Sequence, residues 1–224
     1  MGSDSLATLI PTAWQPWLFI MAAYFLGSLP FAVIISRLFG MADPRSYGSG
    51  NPGATNVLRS GNKLAALLTL LGDAVKGWLA VWLVQHWGGA AGQPVDAMLL
   101  AAVGFAAMAG HVFSLFLGFK GGKGVSTAAG VFLGFSGWLA LCCIVVWLMV
   151  AVVTRYSSLA SICAALAAPL LGFWLLGEAQ AVALAGMSLL VIWRHRPNIR
   201  NLLAGTEGRI GRKKGDAAAT GEAG

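Results

Sequence analysis

Five apolar runs, separated by short polar stretches, dominate the chain: Trp17–Phe39, Lys63–Trp87, Val95–Leu117, Val125–Val153 and Leu159–Trp193. A helix needs about 20 consecutive apolar residues to cross a hydrocarbon core about 30 Å thick. Lipid offers no partners to peptide groups, so a spanning segment must satisfy its own backbone, as a helix does. The pattern therefore predicts an all-α integral membrane protein. The first run contains Gly27-Ser28-Leu29-Pro30, where the missing proline amide predicts a bend. The fourth is interrupted by Gly134-Phe135-Ser136-Gly137, and the fifth by Gly172 and Gly177-Glu178.

The basic residues decide how those last two runs are counted. Lys120 and Lys123 precede the fourth run and Arg155 follows it. A single crossing would put these charges on opposite faces, whereas a hairpin of two short crossings puts them on one. With two hairpins the chain has seven transmembrane helices, several of them short. Arg37, Arg45, Arg59, Lys63, Lys120, Lys123, Arg155 and the seven basic residues from Arg194 onward then lie at or beyond one face, fourteen of the 15. Lys76, inside a span, is the other. The connections around His86–Asp96, Phe135–Gly137 and Gly177–Gln180 contain no Lys or Arg. The positive-inside rule then predicts an N-terminus outside and a C-terminus in the cytosol. The hairpin arms, at about 12–17 residues, are short for a crossing and require a locally thin bilayer. A five-crossing alternative leaves the termini where they are but moves the Arg155 loop outside.

Composition agrees with this picture. The chain is 58% hydrophobic and 10% charged, with a mean hydropathy of +0.75, against about 25% charged residues in an ordinary soluble domain. The net charge of +7 reads as membrane topology rather than nucleic-acid binding. Cys142, Cys143 and Cys163 sit in apolar runs without metal-ligand or disulfide spacing. No basic stretch precedes the first run, which argues against a cleaved signal peptide. Residues 1–204 read as one polytopic domain after a short head, Met1–Pro11, and residues 205–224 as a polar, frayed tail.

Candidate chemistry gathers in three polar stretches. The first is Tyr47–Arg59, YGSGNPGATNVLR. Gly48, Gly50 and Gly53 free its backbone to turn, and Ser49, Asn51, Thr55 and Asn56 supply short hydrogen-bonding side chains. Successive amides in such a loop form an anion nest, and the Arg59 guanidinium suits phosphate bidentately. The second is Phe119–Gly124, FKGGKG, and the third Arg194–Ile199, RHRPNI. Together they predict one phosphate-handling site at a membrane face, although taken singly the first also reads as a flexible turn and the second as a topogenic or lipid-headgroup patch.

Several familiar chemistries fail on these residues. Gly48–Gly53 spells GxGxxG but follows no strand. A Walker A around Lys123 would need glycine at 117 and serine or threonine at 124, where Leu117 and Gly124 stand. Five residues on from His86, His111 and His195 are Ala91, Phe116 and Arg200, so there is no His–Asp relay, and no G-x-S-x-G elbow is present. Asp73 and Lys76, three apart in one span, share a helix face and read as a structural ion pair. Ser157, Ser158 and Ser161 open a span; capping explains one of them, and Ser161, one turn in, can reach the site. His195 and Asn198 face the same way if their segment is helical.

These stretches resemble the PlsY family of acyl-phosphate:glycerol-3-phosphate acyltransferases. The resemblance rests on GSLPF at Gly27–Phe31, GSGNPGATNVLR at Gly48–Arg59, GDAVKG at Gly72–Gly77, GHVFSLFLGFKGGKGVSTAAG at Gly110–Gly130, RYSSLAS at Arg155–Ser161 and RHRPNIRNLLAGTE at Arg194–Glu207. It implies a multi-pass bacterial inner-membrane enzyme with a cytosolic active site. Such an enzyme moves a fatty acyl group from acyl phosphate to the 1-hydroxyl of sn-glycerol 3-phosphate, giving lysophosphatidic acid and inorganic phosphate. By the same resemblance, Lys123, Ser161, His195 and Asn198 hold glycerol 3-phosphate and Arg59 shares that pocket. Ser49, Asn51, Thr55 and Asn56 hold the acyl phosphate and its carbonyl, with Gly48, Gly50, Gly53, Gly121 and Gly122 lining the site. No metal or cofactor is expected; the partners are the two small-molecule substrates and the bilayer. The rival reading is a transporter or binding protein for phosphorylated anions, which basic pockets and broken helices also suit.

Overall fold

The computed structural model describes residues 14–89 and 94–211, and these residues contain helices, turns and loops with no strand. Residues 1–13, which include the whole Met1–Pro11 head, residues 90–93 of the His86–Asp96 connection and residues 212–224 of the tail lie outside the described residues. The chain begins with α1 (Gln15–Ser28) and α2 (Phe31–Leu38), bent by 41° at Leu29-Pro30. A polar loop leads through the short α3 (Ala54–Leu58) to α4 (Lys63–Trp87), whose first turn is capped by the Asn62 carboxamide oxygen accepting from the Ala65 amide. After α5 (Ala97–Val112), capped by Asp96, a glycine-rich loop enters α6 (Val125–Phe135).

Both long runs are broken. Ser136, in extended conformation, separates α6 from α7 (Gly137–Thr154). Gly177, at φ +96°, separates α8 (Ser157–Leu176) from α9 (Glu178–Arg194), and a side chain would be strained there. The arms of each run pack on one another, as do α7 and α8, while α4 packs on α6 and α1 on α5. The closest approaches use small residues: Gly77 lies against the Thr127 carbonyl and Gly130 against that of Ala74. A last helix, α10 (Arg196–Leu203), continues almost directly from α9.

Among the described residues, four helical segments are long and apolar enough to cross a membrane, five if the bent α1–α2 pair is one span. With 11 residues, α6 rises only about 16 Å, roughly half the hydrocarbon thickness. Large apolar side chains cover the outside of the bundle, among them Val153, Leu170 and Trp174, as lipid contact demands. The interior is built from alanine, valine and methionine, including Ala107, Met108, Val81, Val131 and Met187.

Residues 205–211, assigned on sequence to a frayed tail, are docked. The Ile210 amide donates to the Arg155 carbonyl at 2.7 Å and the Arg155 guanidinium donates to the Ile210 carbonyl at 2.9 Å. Arg209 lies over the Tyr156 ring and donates to its hydroxyl. The Arg155–Tyr156 turn supplies the partners that hold Arg209 and Ile210.

Candidate functional site

The first polar loop is shaped from within. Asn56 is buried, and its side chain is used entirely by the loop: its oxygen accepts from the Ser49 amide at 2.9 Å, and its nitrogen donates to the carbonyls of Pro44 (2.6 Å) and Tyr47 (3.1 Å). Gly48 turns at φ +60°, and a β-carbon there would run into the Asn56 oxygen. Asn56 therefore clamps the loop, while Ser49 and Thr55 are exposed on it and Asn51 packs over Gly53. Arg59, just past α3, is exposed and reaches toward Gly208.

The second loop is gripped on both edges. The amides of Gly121 and Gly122 donate to the Val112 and His111 carbonyls at the end of α5, at 3.0 and 3.1 Å. Their carbonyls accept from the Arg194 guanidinium at 2.7 and 3.1 Å. Lys123 leaves this clamp pointing at the third stretch, where its ammonium donates to the Asn198 carboxamide oxygen at 2.5 Å. The Asn198 nitrogen donates to Glu207 at 2.7 Å, and the same carboxylate oxygen accepts from the Ser158 hydroxyl at 2.6 Å. An ammonium can only donate and a carboxylate only accept, so the orientation of the Asn198 amide follows from its neighbours.

Burial pushes the Lys123 ammonium down to about 8; Glu207 opposes that shift, and Arg59 and Arg194 add to it. His195 is 2% exposed, with Nδ1 at 2.8 Å from the Val191 carbonyl. That carbonyl can only accept, so Nδ1 carries the proton and Nε2 offers a lone pair. Burial drives the imidazole down to about 4, helped by Lys123 and Arg194, which keeps it neutral at physiological pH. Ser161 is buried one turn into α8, its hydroxyl donating to the Ser157 carbonyl and accepting from the Trp147 indole; Ser158 is the serine that joins the cluster.

The structure thus brings Lys123, His195 and Asn198 together, with Arg59 within electrostatic reach. Pro52 of the first loop and Gly122 of the second line one cleft, so the two loops are neighbours. Ser49, Asn51 and Thr55 stay on the first loop and make no hydrogen bond to the Lys123 cluster among the described residues. Sequence reasoning missed Glu207, Ser158 and the clamping role of Arg194. A signal existed for Glu207, the one acidic residue between Glu178 and Asp216, set among seven basic ones.

An apolar-coated helical bundle with cationic loops gathered at one end defines a multi-pass membrane protein with a one-ended polar site. Residues 17–205 match the profile of the family described as Glycerol-3-phosphate acyltransferase. The chain belongs to that family. It is 59% identical over 198 residues to the glycerol-3-phosphate acyltransferase of Aromatoleum aromaticum, covering 88% of this chain and 98% of that one. It is 57% identical over 197 residues to that of Ralstonia nicotianae, covering 88% and 94%. The fold is similar to the crystal structure of PlsY (YgiH), an integral membrane glycerol 3-phosphate acyltransferase, in its glycerol 3-phosphate form. That match has a TM-score of 0.80 at 39% identity and covers 88% of this chain and 96% of that one. The lysphosphatidic acid form of the same protein gives 0.79 at 38% identity, covering 88% and 95%. The chain is an integral membrane protein of this family.

Proposed function

We propose that this protein transfers a fatty acyl group from acyl phosphate to the 1-hydroxyl of sn-glycerol 3-phosphate, releasing lysophosphatidic acid and inorganic phosphate. The observation that carries the proposal is the Lys123–Asn198–Glu207 chain beside neutral His195, flanked by Arg59 and Arg194. It offers fixed donors for phosphate and an acceptor for a hydroxyl. Lys123, His195 and Asn198 take glycerol 3-phosphate, with Arg59 at the mouth, and Ser161 joins them by turning its hydroxyl from the Ser157 carbonyl. Ser49, Asn51, Thr55 and the amides of Gly48, Gly50 and Gly53 take the acyl phosphate on the loop that Asn56 clamps, and the Gly121–Gly122 backbone walls the pocket between them.

Acyl phosphate is a mixed anhydride, so no protein nucleophile is needed. The glycerol oxygen bonds to the acyl carbon, the bond from that carbon to the phosphate oxygen breaks, and the hydroxyl proton passes to the departing phosphate. Loop donors stabilise the oxyanion between these steps, and binding both anions side by side supplies the attack geometry. The same reading has seven crossings, the N-terminus outside, the C-terminus cytosolic, and the site facing the cytosol from the bacterial inner membrane. Its support is the break in both long runs and the two hydrogen bonds that link Ser158, through Glu207, to Asn198 at the Lys123 end.

The test uses the purified protein with palmitoyl phosphate and glycerol 3-phosphate, following phosphate and lysophosphatidic acid together, with palmitoyl-CoA in a parallel reaction. Equal yields of both products from acyl phosphate alone are expected. Transfer from the CoA donor alone would overturn the donor assignment. No transfer from either by folded protein, with phosphate-ester flux into sealed vesicles, would establish a transporter instead.

A pH dependence follows. Lys123, held down to about 8, is charged below that value and loses its proton above it. The apparent kcat/KM for glycerol 3-phosphate should therefore fall on the alkaline side with a midpoint near pH 8, in a profile from about pH 6 to about pH 10. Lys123→Arg should abolish that limb, because a guanidinium stays charged throughout.

A further inference from the structure

Behind the two loops lies a charged cluster that the proposed reaction does not use. Lys76 of α4 places its ammonium 2.8 Å from the Asp73 carboxylate and donates to the Leu29 carbonyl at 2.9 Å, at the α1–α2 break. The same Asp73 oxygen faces His111 Nδ1 of α5 at 3.4 Å. The side chains of Asp73, Lys76 and His111 are 3%, 2% and 7% exposed, so all three are buried within the bundle. Burying an ion pair is costly, and a well-packed apolar pair of similar volume serves stability as well or better. Stability alone therefore does not account for the cluster.

Its position does. The His111 ring packs on Gly122, where a β-carbon would overlap Nε2, and the backbone carbonyl of His111 is the acceptor that docks the Gly122 amide. Pro52 of the first loop and Leu29-Pro30 of the helix break share one cleft with Asp73, Lys76, His111 and Gly122. Three irregular backbone segments from distant parts of the chain thus meet on one buried network. Irregular backbone at the edge of a bilayer has no regular ladder to fix it, and a chain of directional charged contacts supplies the missing register.

We propose that Asp73, Lys76 and His111 are positioning residues that set the Gly121–Lys123 loop against the rest of the site, and so determine how the phosphate of glycerol 3-phosphate is held. Asp73 and Lys76 fix the last turn of α5 through His111, and His111 fixes Gly122, next to Lys123. In this role the three act through the loop rather than by contact with substrate. The inference rests on the reading of the site given above, and its test separates the two.

The experiment compares wild type with Asp73→Asn/Lys76→Met, which removes both charges together, and with His111→Gln and His111→Phe. Glycerol 3-phosphate binding is measured directly by calorimetry on detergent-solubilised protein, beside KM for each substrate, kcat and thermal unfolding. The double variant and His111→Phe should bind glycerol 3-phosphate about ten- to a hundredfold more weakly. Their melting temperatures should stay near wild type, and KM for acyl phosphate should stay within about threefold of it. His111→Gln, which keeps a polar group toward Asp73, should recover most of the affinity. If the double variant fails to fold, the two His111 variants decide. Unchanged glycerol 3-phosphate binding in the folded variants overturns the proposal, as does a loss that tracks a fallen melting temperature or one that Gln fails to rescue. Wild type that binds glycerol 3-phosphate but transfers no acyl group would overturn the proposed reaction and leave the binding comparison intact.

Discussion

Lys123→Ala should lower kcat/KM for glycerol 3-phosphate by about a hundred- to a thousandfold while the protein still folds. Lys123 carries the one ammonium of the cluster and is hydrogen-bonded to Asn198 at 2.5 Å. Removing one member of a partly buried charged pair costs about 2–5 kcal/mol, and each 1.36 kcal/mol is tenfold in rate. Substrate loses its ammonium partner, and Glu207 keeps Asn198 and Ser158 but loses the ammonium that Asn198 links to it. Lys123→Met, close in length, separates the lost charge from the lost volume and should be nearly as poor. Steady-state kinetics beside thermal unfolding in detergent checks both, and near-wild-type turnover in either folded variant would remove Lys123 from the site.

Arg59→Ala should be the next most damaging. Its guanidinium is exposed at the mouth of the site, by Gly208 and within reach of Lys123. An exposed charge acts mainly on capture and is screened by salt. We expect kcat/KM to fall about ten- to a hundredfold, mostly through KM, and the difference from wild type to shrink as salt is raised. Arg59→Lys should recover only part of the loss, because an ammonium cannot make two parallel bonds to phosphate. Full recovery by Lys would mean that charge alone matters there, and an unchanged KM in Arg59→Ala would mean that Arg59 does not meet substrate.

The stretches that make up the candidate site were legible because their chemistry is concentrated in short segments. Glycines with small polar neighbours around 48–56, a glycine–lysine loop at 120–124 and a basic stretch at 194–199 stand out in a chain with 10% charged residues. What escaped was how the side chains divide the work. Asn56 and Ser49 sit in one motif, yet Asn56 turns inward and holds the loop while Ser49 faces out. Ser158 and Ser161 are one turn apart, and only the first reaches Glu207. Glu207 closes the last motif by sequence, but nothing local says that its carboxylate meets residues from two other segments. A motif gives residue types at a spacing; which way each side chain points depends on partners far along the chain.

The sequence by itself determined the all-helical membrane character, since apolar runs of this length admit little else in water or lipid. It also determined the breaks at Pro30, Ser136 and Gly177, because proline lacks an amide and glycine reaches backbone conformations that other residues avoid. Only the tertiary structure decided that the Thr206–Ile210 segment is docked, that Asp73 meets His111 from another helix, and that Arg194 clamps the loop carrying Lys123. The contacts of Arg209 and Ile210 with the Arg155–Tyr156 turn, of Asp73 with His111 and of Arg194 with the loop join residues 38 to 73 positions apart. Their geometry follows from helix packing in three dimensions, which local propensity and periodicity do not encode.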